Sequence, residues 1–171
     1  MAKMTPLISG LSPVKTMVLL FVTLGLTACG FKLRGSYAVP ASMQFICLEQ
    51  SASPALGKEL TKRLLRSKVK IIKDKASCVS LVLNRDKIER PVLSLFPNAQ
   101  VAEYELIYKV SYTVTFPNQE PRTFNAEASR DYQDNPEAVL AKSKENKLLQ
   151  AELRRHAAEQ ILLQLASLEN R

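Results

Sequence analysis

Ala102-Glu-Tyr-Glu-Leu-Ile-Tyr-Lys-Val-Ser-Tyr-Thr-Val-Thr-Phe116 is the stretch whose reading decides the fold. Tyr104, Leu106, Tyr108, Val110, Tyr112, Val114 and Phe116 recur at every second position, which places them on one face of a β-strand. Glu103, Glu105, Lys109, Ser111, Thr113 and Thr115 take the other face, with Ile107 as the one apolar intruder. A long strand with one wet face belongs to an antiparallel sheet covered on one side only. Pro117 to Pro121 reads as a turn, and the return strand repeats the alternation. Phe124, Ala126, Ala128 and Tyr132 face inward, against Thr123, Asn125, Glu127, Ser129 and Asp131. The polar face of this pair is therefore open to a partner.

Working outward, Asp134-Asn-Pro-Glu137 predicts a helix start, with Asn135 as cap and Pro136 at the first position. That helix runs to about Leu168, its stripe formed by Leu149, Leu153, Ala157, Ile161 and Leu165. The polar run Lys142 to Lys147 predicts that its early turns project past the core.

Upstream, Val79, Leu81 and Leu83 alternate along a strand that ends near Glu89 and Pro91. From Pro91 to Gln100 the chain stays apolar but loses its period. It reads as a loop that either displays Leu93, Leu95 and Phe96 as a contact site or folds them back on the core. Before it, Met43 to Leu48 reads as a first strand. Ser53-Pro54 then predicts the cap and first residue of a helix whose stripe is Leu56, Leu60 and Leu64. The opposite face carries Lys58, Lys62, Arg63 and Arg66, and basic residues continue through Lys68, Lys70, Lys73 and Lys75. This is either a solvated face or a surface drawn to an anionic one. The expected architecture is α+β: a two-layer sandwich of an about four-stranded, largely antiparallel sheet with two helices on one face.

The first thirty-five residues follow a different logic. An apolar run, Met17 to Leu26, follows Lys15 and is too short for a bilayer span, which needs about 20 apolar residues. It ends in Leu26-Thr27-Ala28-Cys29, which resembles a bacterial lipobox. Residues 1–28 are expected to be a signal peptide that is removed, residues 29–40 a tether acylated at Cys29, and residues 41–171 a single domain. The alternative is an ordinary cut after Ala28 that leaves Cys29 as a free thiol. Gly30 stands where lipoproteins kept at the inner membrane carry aspartate, which implies sorting to the outer membrane. The 171-residue chain carries a net charge of +8. Only Lys3 and Lys15 fall before Cys29, so the mature part stays basic and suits anionic partners. Cys47 and Cys78 are either two buried thiols or a bridge that an oxidising compartment permits.

Catalytic chemistry is hard to place. The single histidine, His156, sits beside Arg154 and Arg155, and no zinc spacing or serine triad can be drawn with it. Of five glycines, Gly10 and Gly25 belong to the leader, so no phosphate loop can be assembled. The chain reads as neither an enzyme nor a metal or cofactor protein, and basic residues without aromatic platforms argue against nucleic acid.

Three blocks carry a family resemblance: Cys29 to Arg34; Ala102-Glu103-Tyr104; and Asp134-Asn135-Pro136 with Ala141-Lys142 and Ala157-Ala158-Glu159-Gln160. Together they resemble the LptE (RlpB) lipopolysaccharide-assembly lipoproteins of Gram-negative bacteria. The resemblance implies a lipoprotein anchored on the periplasmic side of the outer membrane. It plugs the LptD β-barrel one-to-one, assists its assembly, and binds lipopolysaccharide during delivery to the cell surface. It places ligand binding at Lys142, with Arg130 as a second position, and gives Pro97 where a relative has arginine. Barrel contacts are expected from Phe31, Leu93, Leu95 and Phe96. The rival reading is a free-standing envelope lipoprotein that binds another anionic ligand or a periplasmic partner.

Overall fold

The computed structural model describes residues 39–74 and 77–168, together with Val14 and Met17. Cys29 and Phe31 lie outside the described residues. Ser36–Arg171 forms one compact unit, separate from Met1–Gly35. Within it the chain passes through β1 (Phe45–Glu49), α1 (Pro54–Arg66), β2 (Lys70–Ile71), β3 (Val79–Glu89), β4 (Val92–Leu95), β5 (Val101–Thr115), β6 (Arg122–Gln133) and α2 (Val139–Ser167).

The expected two-layer α+β sandwich is present, with more strands than the sequence predicts. β5 is the centre of a six-stranded sheet. It pairs antiparallel with β6 along one edge and with β3 and then β4 along the other. β4 continues the line of β3 after the chain breaks at Arg90-Pro91, where proline removes a ladder donor. Glu105 still donates its N–H to the Pro91 carbonyl at 3.0 Å. The stretch read as a loop is thus a short, twice-bulged strand followed by a hairpin tip. Ala99 at that tip has φ 64°. At the far side β1 runs parallel to both β2 and β3, and α1 is the crossover that a parallel β1–β3 pair requires.

Alternation on β5 sorts as the sequence predicts. Leu106, Tyr108, Val110, Tyr112 and Val114 are buried with Leu81 and Leu83 of β3 and Ala126 and Ala128 of β6. Tyr112 stacks on its cross-strand partner Phe124 with centroids 5.7 Å apart, a contact that adds to area burial. Leu56, Leu60 and Leu64 of α1 and Leu153, Ala157, Ile161 and Leu165 of α2 close the same core, so both helices cover one face. Arg63 pairs with Glu159 at 3.6 Å, while Ala55 and Lys58 face Leu148 and Ala151. Partner numbers rise together along the two helices, so α1 and α2 run parallel. α2 spans roughly 43 Å, and its buried residues begin only at Leu153. Its early turns, with Val139, Leu140 and Leu148 exposed, extend past the core as expected.

Two side chains behave differently from their sequence reading. Ser53 sits at the N-cap position of α1 but makes no cap bond. Its hydroxyl lies 2.6 Å from the Asn84 carbonyl oxygen and 2.9 Å from Asp86 Oδ1, and accepts the Asp86 N–H at 3.1 Å. Asp86 in turn accepts the Tyr108 hydroxyl at 2.6 Å. Ser53 thereby staples α1 to the point where β3 slips register against β5, between Leu83 and Asp86. It is the buried polar residue of the described core. Cys47 and Cys78, left open by the sequence, form a disulfide with α-carbons 5.7 Å apart.

Outward backbone groups of β6 are partly closed as well. Gln160 of α2 donates to the Glu127 carbonyl at 2.8 Å and accepts the Glu127 N–H at 3.2 Å. It imitates a neighbouring strand at the middle of a free edge.

Three outcomes are expected. Replacing both Cys47 and Cys78 by alanine should lower the unfolding free energy by roughly 3–4 kcal/mol, the entropy of a loop of this length, read by urea titration of oxidised protein. Ser53→Ala should cost about 1–3 kcal/mol, since it leaves Asp86 N–H without its acceptor. Burial, with the Asp86 carboxylate, holds the Tyr108 phenol up, and burial pushes Tyr112 up to about 12. A phenol that resists ionisation in the fold contributes stability that is complete below its unfolded value of 10.0 and lost as pH rises through about 12. Thermal melts should therefore be flat in this respect near neutrality and fall steeply above pH ~10.

Candidate functional site

A concavity of about 620 Å³ opens where the projecting first turns of α2 pass the ends of β5 and β6. Its strand wall is Tyr104 and Tyr132, and its helix wall includes Lys142, Ser143, Asn146, Lys147 and Gln150. Arg90 closes the third side from the end of β3.

Local sequence explains each wall. Tyr104 and Tyr132 are directly opposed across the β5–β6 ladder, so their rings share one face. Asn135 accepts the Glu137 N–H at 2.9 Å and starts a short 3-10 turn, Pro136–Ala138, that launches α2. Asp134 donates its N–H to Ala102 at 2.8 Å, which pins this start to the sheet. Residues 142, 146 and 150 follow at four-residue spacing and line one side of the helix.

Lys142 is held firmly. Its Nζ lies 2.8 Å from Glu145 Oε2 and 5.2 Å from the centroid of the Tyr132 ring, and the Tyr132 hydroxyl donates to the Lys142 carbonyl at 3.0 Å. The Glu145 hydrogen bond holds the Lys142 amine above its ordinary value, so it is a cation at any physiological pH. Burial, aided by Asp134, raises the Tyr132 phenol, which stays a neutral donor. Across the cleft, Arg90 Nη2 lies 3.4 Å from Asn146 Oδ1, and Gln150 donates to the same oxygen at 2.6 Å. Among the described residues Arg90 and Lys147 make no ion pair. The lining thus sets three cations, of which Lys142 is already paired with Glu145, against the carboxylate of Asp134, around two aromatic rings. That combination accepts phosphate or carboxylate groups carried on an amphipathic body.

Arg130, the second predicted position, lies on β6 facing the same side as Tyr132 but outside the cleft lining. Its Nη2 is 2.9 Å from Glu152 Oε1, an exposed pair of the kind expected of an edge strand, and the arginine holds Glu152 below the usual carboxylate range. Arg90 is the cation the sequence reading missed. It ends a strand at Arg90-Pro91 and becomes part of the site only because α2 crosses there, a juxtaposition over fifty residues apart in the chain. The helix wall had a legible signal in the i, i+4 spacing of Lys142, Asn146 and Gln150.

The apolar segment before β5 is displayed. Leu93 is 51% exposed, Leu95 58% and Phe96 40%. Phe96 and Pro97 adjoin Asn135 and Pro136 in a second, shallower hollow, so this patch borders the basic cleft. On the uncovered face of the sheet, none of residues 103, 105, 107, 109, 111, 113 and 115 is buried. Lys109 bridges Glu89 at 2.9 Å and Glu127 at 3.8 Å, and Thr113 and Thr123 share a hydrogen bond at 3.2 Å. No three His, Cys, Asp or Glu side chains among the described residues are placed to hold a metal ion.

Comparison with known proteins places the chain in a family. The family model described as LptE, lipopolysaccharide-assembly, matches residues 43–165. The LPS-assembly lipoprotein LptE of Pectobacterium atrosepticum is 31% identical over 156 residues, 90% of this chain and 85% of that one. Its counterpart from Yersinia enterocolitica is 32% identical over 153 residues, 87% of this chain and 74% of that one. Among solved structures, the rare lipoprotein B of Shewanella oneidensis is 41% identical with a TM-score of 0.67, covering 72% of this chain and 94% of that one. A lipoprotein B from Nitrosomonas europaea, 23% identical with a TM-score of 0.66 over 81% of this chain and 91% of its own, shares the fold. With a family match across its whole sheet and most of α2, and relatives that align over nearly its full length, this chain belongs to the LptE lipopolysaccharide-assembly family.

Proposed function

We propose that the chain is an envelope lipoprotein that binds lipopolysaccharide in the cleft between α2 and the β5–β6 ends. It does so while seated in the LptD barrel of the outer membrane. The observation that carries this reading is the cleft itself: Arg90, Lys142 and Lys147 ring the Tyr104–Tyr132 wall at one open end of the fold. Lipid A and its inner core carry phosphates and carboxylates, for which a guanidinium and two ammonium groups are matched partners. Arg90 supplies a cation from the opposite side of the cleft. Arg130 takes the flank of the site, where a ligand phosphate competes with Glu152 for its guanidinium.

The neighbouring patch of Leu93, Leu95 and Phe96 suits the barrel, because contiguous exposed apolar side chains bordered by polar ones mark contact surfaces. The uncovered polar face of the sheet suits the hydrated inner wall of such a barrel. Cys29 is proposed as the acylated residue and the tether that follows it, with Phe31, as part of the contact. Residues 1–28 are then the leader, and acyl chains fix the domain at the periplasmic side of the outer membrane. A disulfide within the domain fits that compartment. The work is done by binding, with no turnover.

Lys142→Asp combined with Arg90→Asp should weaken lipopolysaccharide binding about tenfold or more, by loss of charge-assisted bonds, while the one-to-one barrel complex is retained. Arg130→Asp alone should have a smaller effect, since Glu152 already engages that guanidinium. Direct binding to purified lipopolysaccharide reads both, and unchanged affinity in the double variant overturns the site. Leu95→Glu with Phe96→Glu should reverse the pattern, with lost co-purification with the barrel and intact ligand binding. Intact-mass measurement of protein from outer membranes should find Cys29 acylated; an unmodified residue there overturns the anchor.

A further inference from the structure

Strands that end a sheet expose a row of backbone donors and acceptors, and folded proteins close or disguise them. Two such edges are closed here. Gln160 of α2 occupies the middle of the β6 edge at Glu127. β1 pairs with β3 only over residues 79–82, and just beyond that overlap Ser53 takes up the Asn84 carbonyl and the Asp86 N–H. The edge further along is open. Asp86 opposes Val110, and the register then runs without a slip through Ile88 opposite Tyr108 and Glu89 opposite Ile107. Backbone groups alternate sides along a strand, so Ile88 presents its N–H and C=O outward, as Asp86 does. Val92 of β4 does the same. Its pairing with Tyr104 is flanked by the bond from Glu105 N–H to the Pro91 carbonyl at 3.0 Å. That is the pattern of a non-hydrogen-bonded pair, whose members turn their own N–H and C=O away from each other. Among the described residues the sheet order ends at β4.

The side chains along this edge have a second feature. No charged residue occurs from position 91 to position 102, so the edge lacks the charges that usually guard one. Residues directly opposite on two strands share a face. Val92 therefore lies with Tyr104 on the helix side of the sheet, whereas Leu95 lies with Val101 on the uncovered side. They are 50% and 58% exposed. A surface laid flat against one side of the sheet would cover one of them and leave the other wet. A strand added edge to edge meets both.

We propose that this edge is completed by strand addition: an extended, apolar segment of the barrel protein pairs with the outward backbone groups of Val92 and Ile88 and so lengthens the sheet. The proposal rests on the reading above that the patch of Leu93, Leu95 and Phe96 meets the barrel, and it specifies how. Main-chain bonds to the edge supply the hold, and successive side chains of the added segment take Val92 on one side and Leu95 on the other. A second copy of this chain is a poorer match. It offers the same four-residue, twice-bulged strand, and two irregular edges align few bonds with each other.

The test co-expresses the full chain with the barrel protein and measures their association in detergent. Val92→Pro removes the outward N–H at an edge position that tolerates proline and leaves the bonds to β5 in place. Val92→Ala truncates the side chain but keeps the N–H. Association should weaken at least about tenfold for Val92→Pro and change little for Val92→Ala. A thermal melt and retained lipopolysaccharide binding verify that Val92→Pro is folded. Amide exchange needs no variant and decides alone if that one does not fold: residues 88–95 should exchange at least about tenfold more slowly in the complex than in the free chain. Association lost with Leu95→Glu and Phe96→Glu but kept in full with Val92→Pro overturns strand addition and leaves the side-chain patch standing. Association kept in full by both overturns the patch as well. Unslowed exchange in the complex overturns the proposal, as does a dimer of the free chain that Val92→Pro dissolves, which assigns the edge to a second copy.

Discussion

A fifteen-residue strand that must bury every second side chain constrains everything else in this domain. β5 pairs on both edges along most of its length, so its covered face can be closed only by elements that reach across the whole sheet. Leu106 through Val114 define a strip longer than one short helix can cover, and two parallel helices meet that demand side by side. The same strip leaves the opposite face uncovered for its full length. A domain with one dry and one wet broad face is thereby fixed before any ligand is considered. The polar odd-numbered residues of β5 and β6 are consistent with that division, and the charges on that face are arranged as the Lys109 bridges to Glu89 and Glu127.

The basic cleft follows from the mismatch in length between α2 and the sheet. Only the second half of α2 is needed to cover β5 and β6. The first half continues past the strand ends and creates a concave space against Tyr104, Tyr132 and Arg90. The proposed ligand groove is therefore a by-product of overhang, which is why its helix wall is polar and its strand wall aromatic. Position within the overhang also sets how tightly each cation is held. Lys142, nearest the sheet, is clamped by Glu145 and Tyr132, whereas Lys147 is exposed to solvent.

What could be read from the chain alone was what repeats. The period of two over Ala102–Phe116 and its echo over Thr123–Tyr132 gave β5 and β6, and the four-residue stripes of leucine gave α1 and the buried half of α2. β2 and β4 were missed because two- and four-residue strands carry too few positions to show a period. Their pairing is decided by the neighbours that β1 and β5 offer. Ser-Pro before a leucine stripe has the pattern of a helix cap, which Ser53 does not form. Its actual partner is the irregularity in β3, a feature with no local signature. Of the cations that line the cleft, Lys142 stands in a quoted motif and Arg90 does not, since a strand-ending arginine joins the cleft only when a distant helix arrives beside it. Leu93, Leu95 and Phe96 were ambiguous for a physical reason: an apolar run without a period fits both a core and a contact surface.

The Cys47–Cys78 bridge joins β1 to the residue that leads into β3 and so encloses α1 in a covalent ring. Parallel pairing of β1 with β3 is the step that must close the longest local excursion of the chain, and such pairings form late and slowly. For a chain exported with the leader proposed above, the thiols would meet an oxidising compartment only once they had crossed the membrane. The domain would then be only loosely closed while it must still be threadable, and locked once it has arrived. Under that proposal the bridge would close the α1 loop only where disulfides persist, so the rigidity of the domain would follow its location.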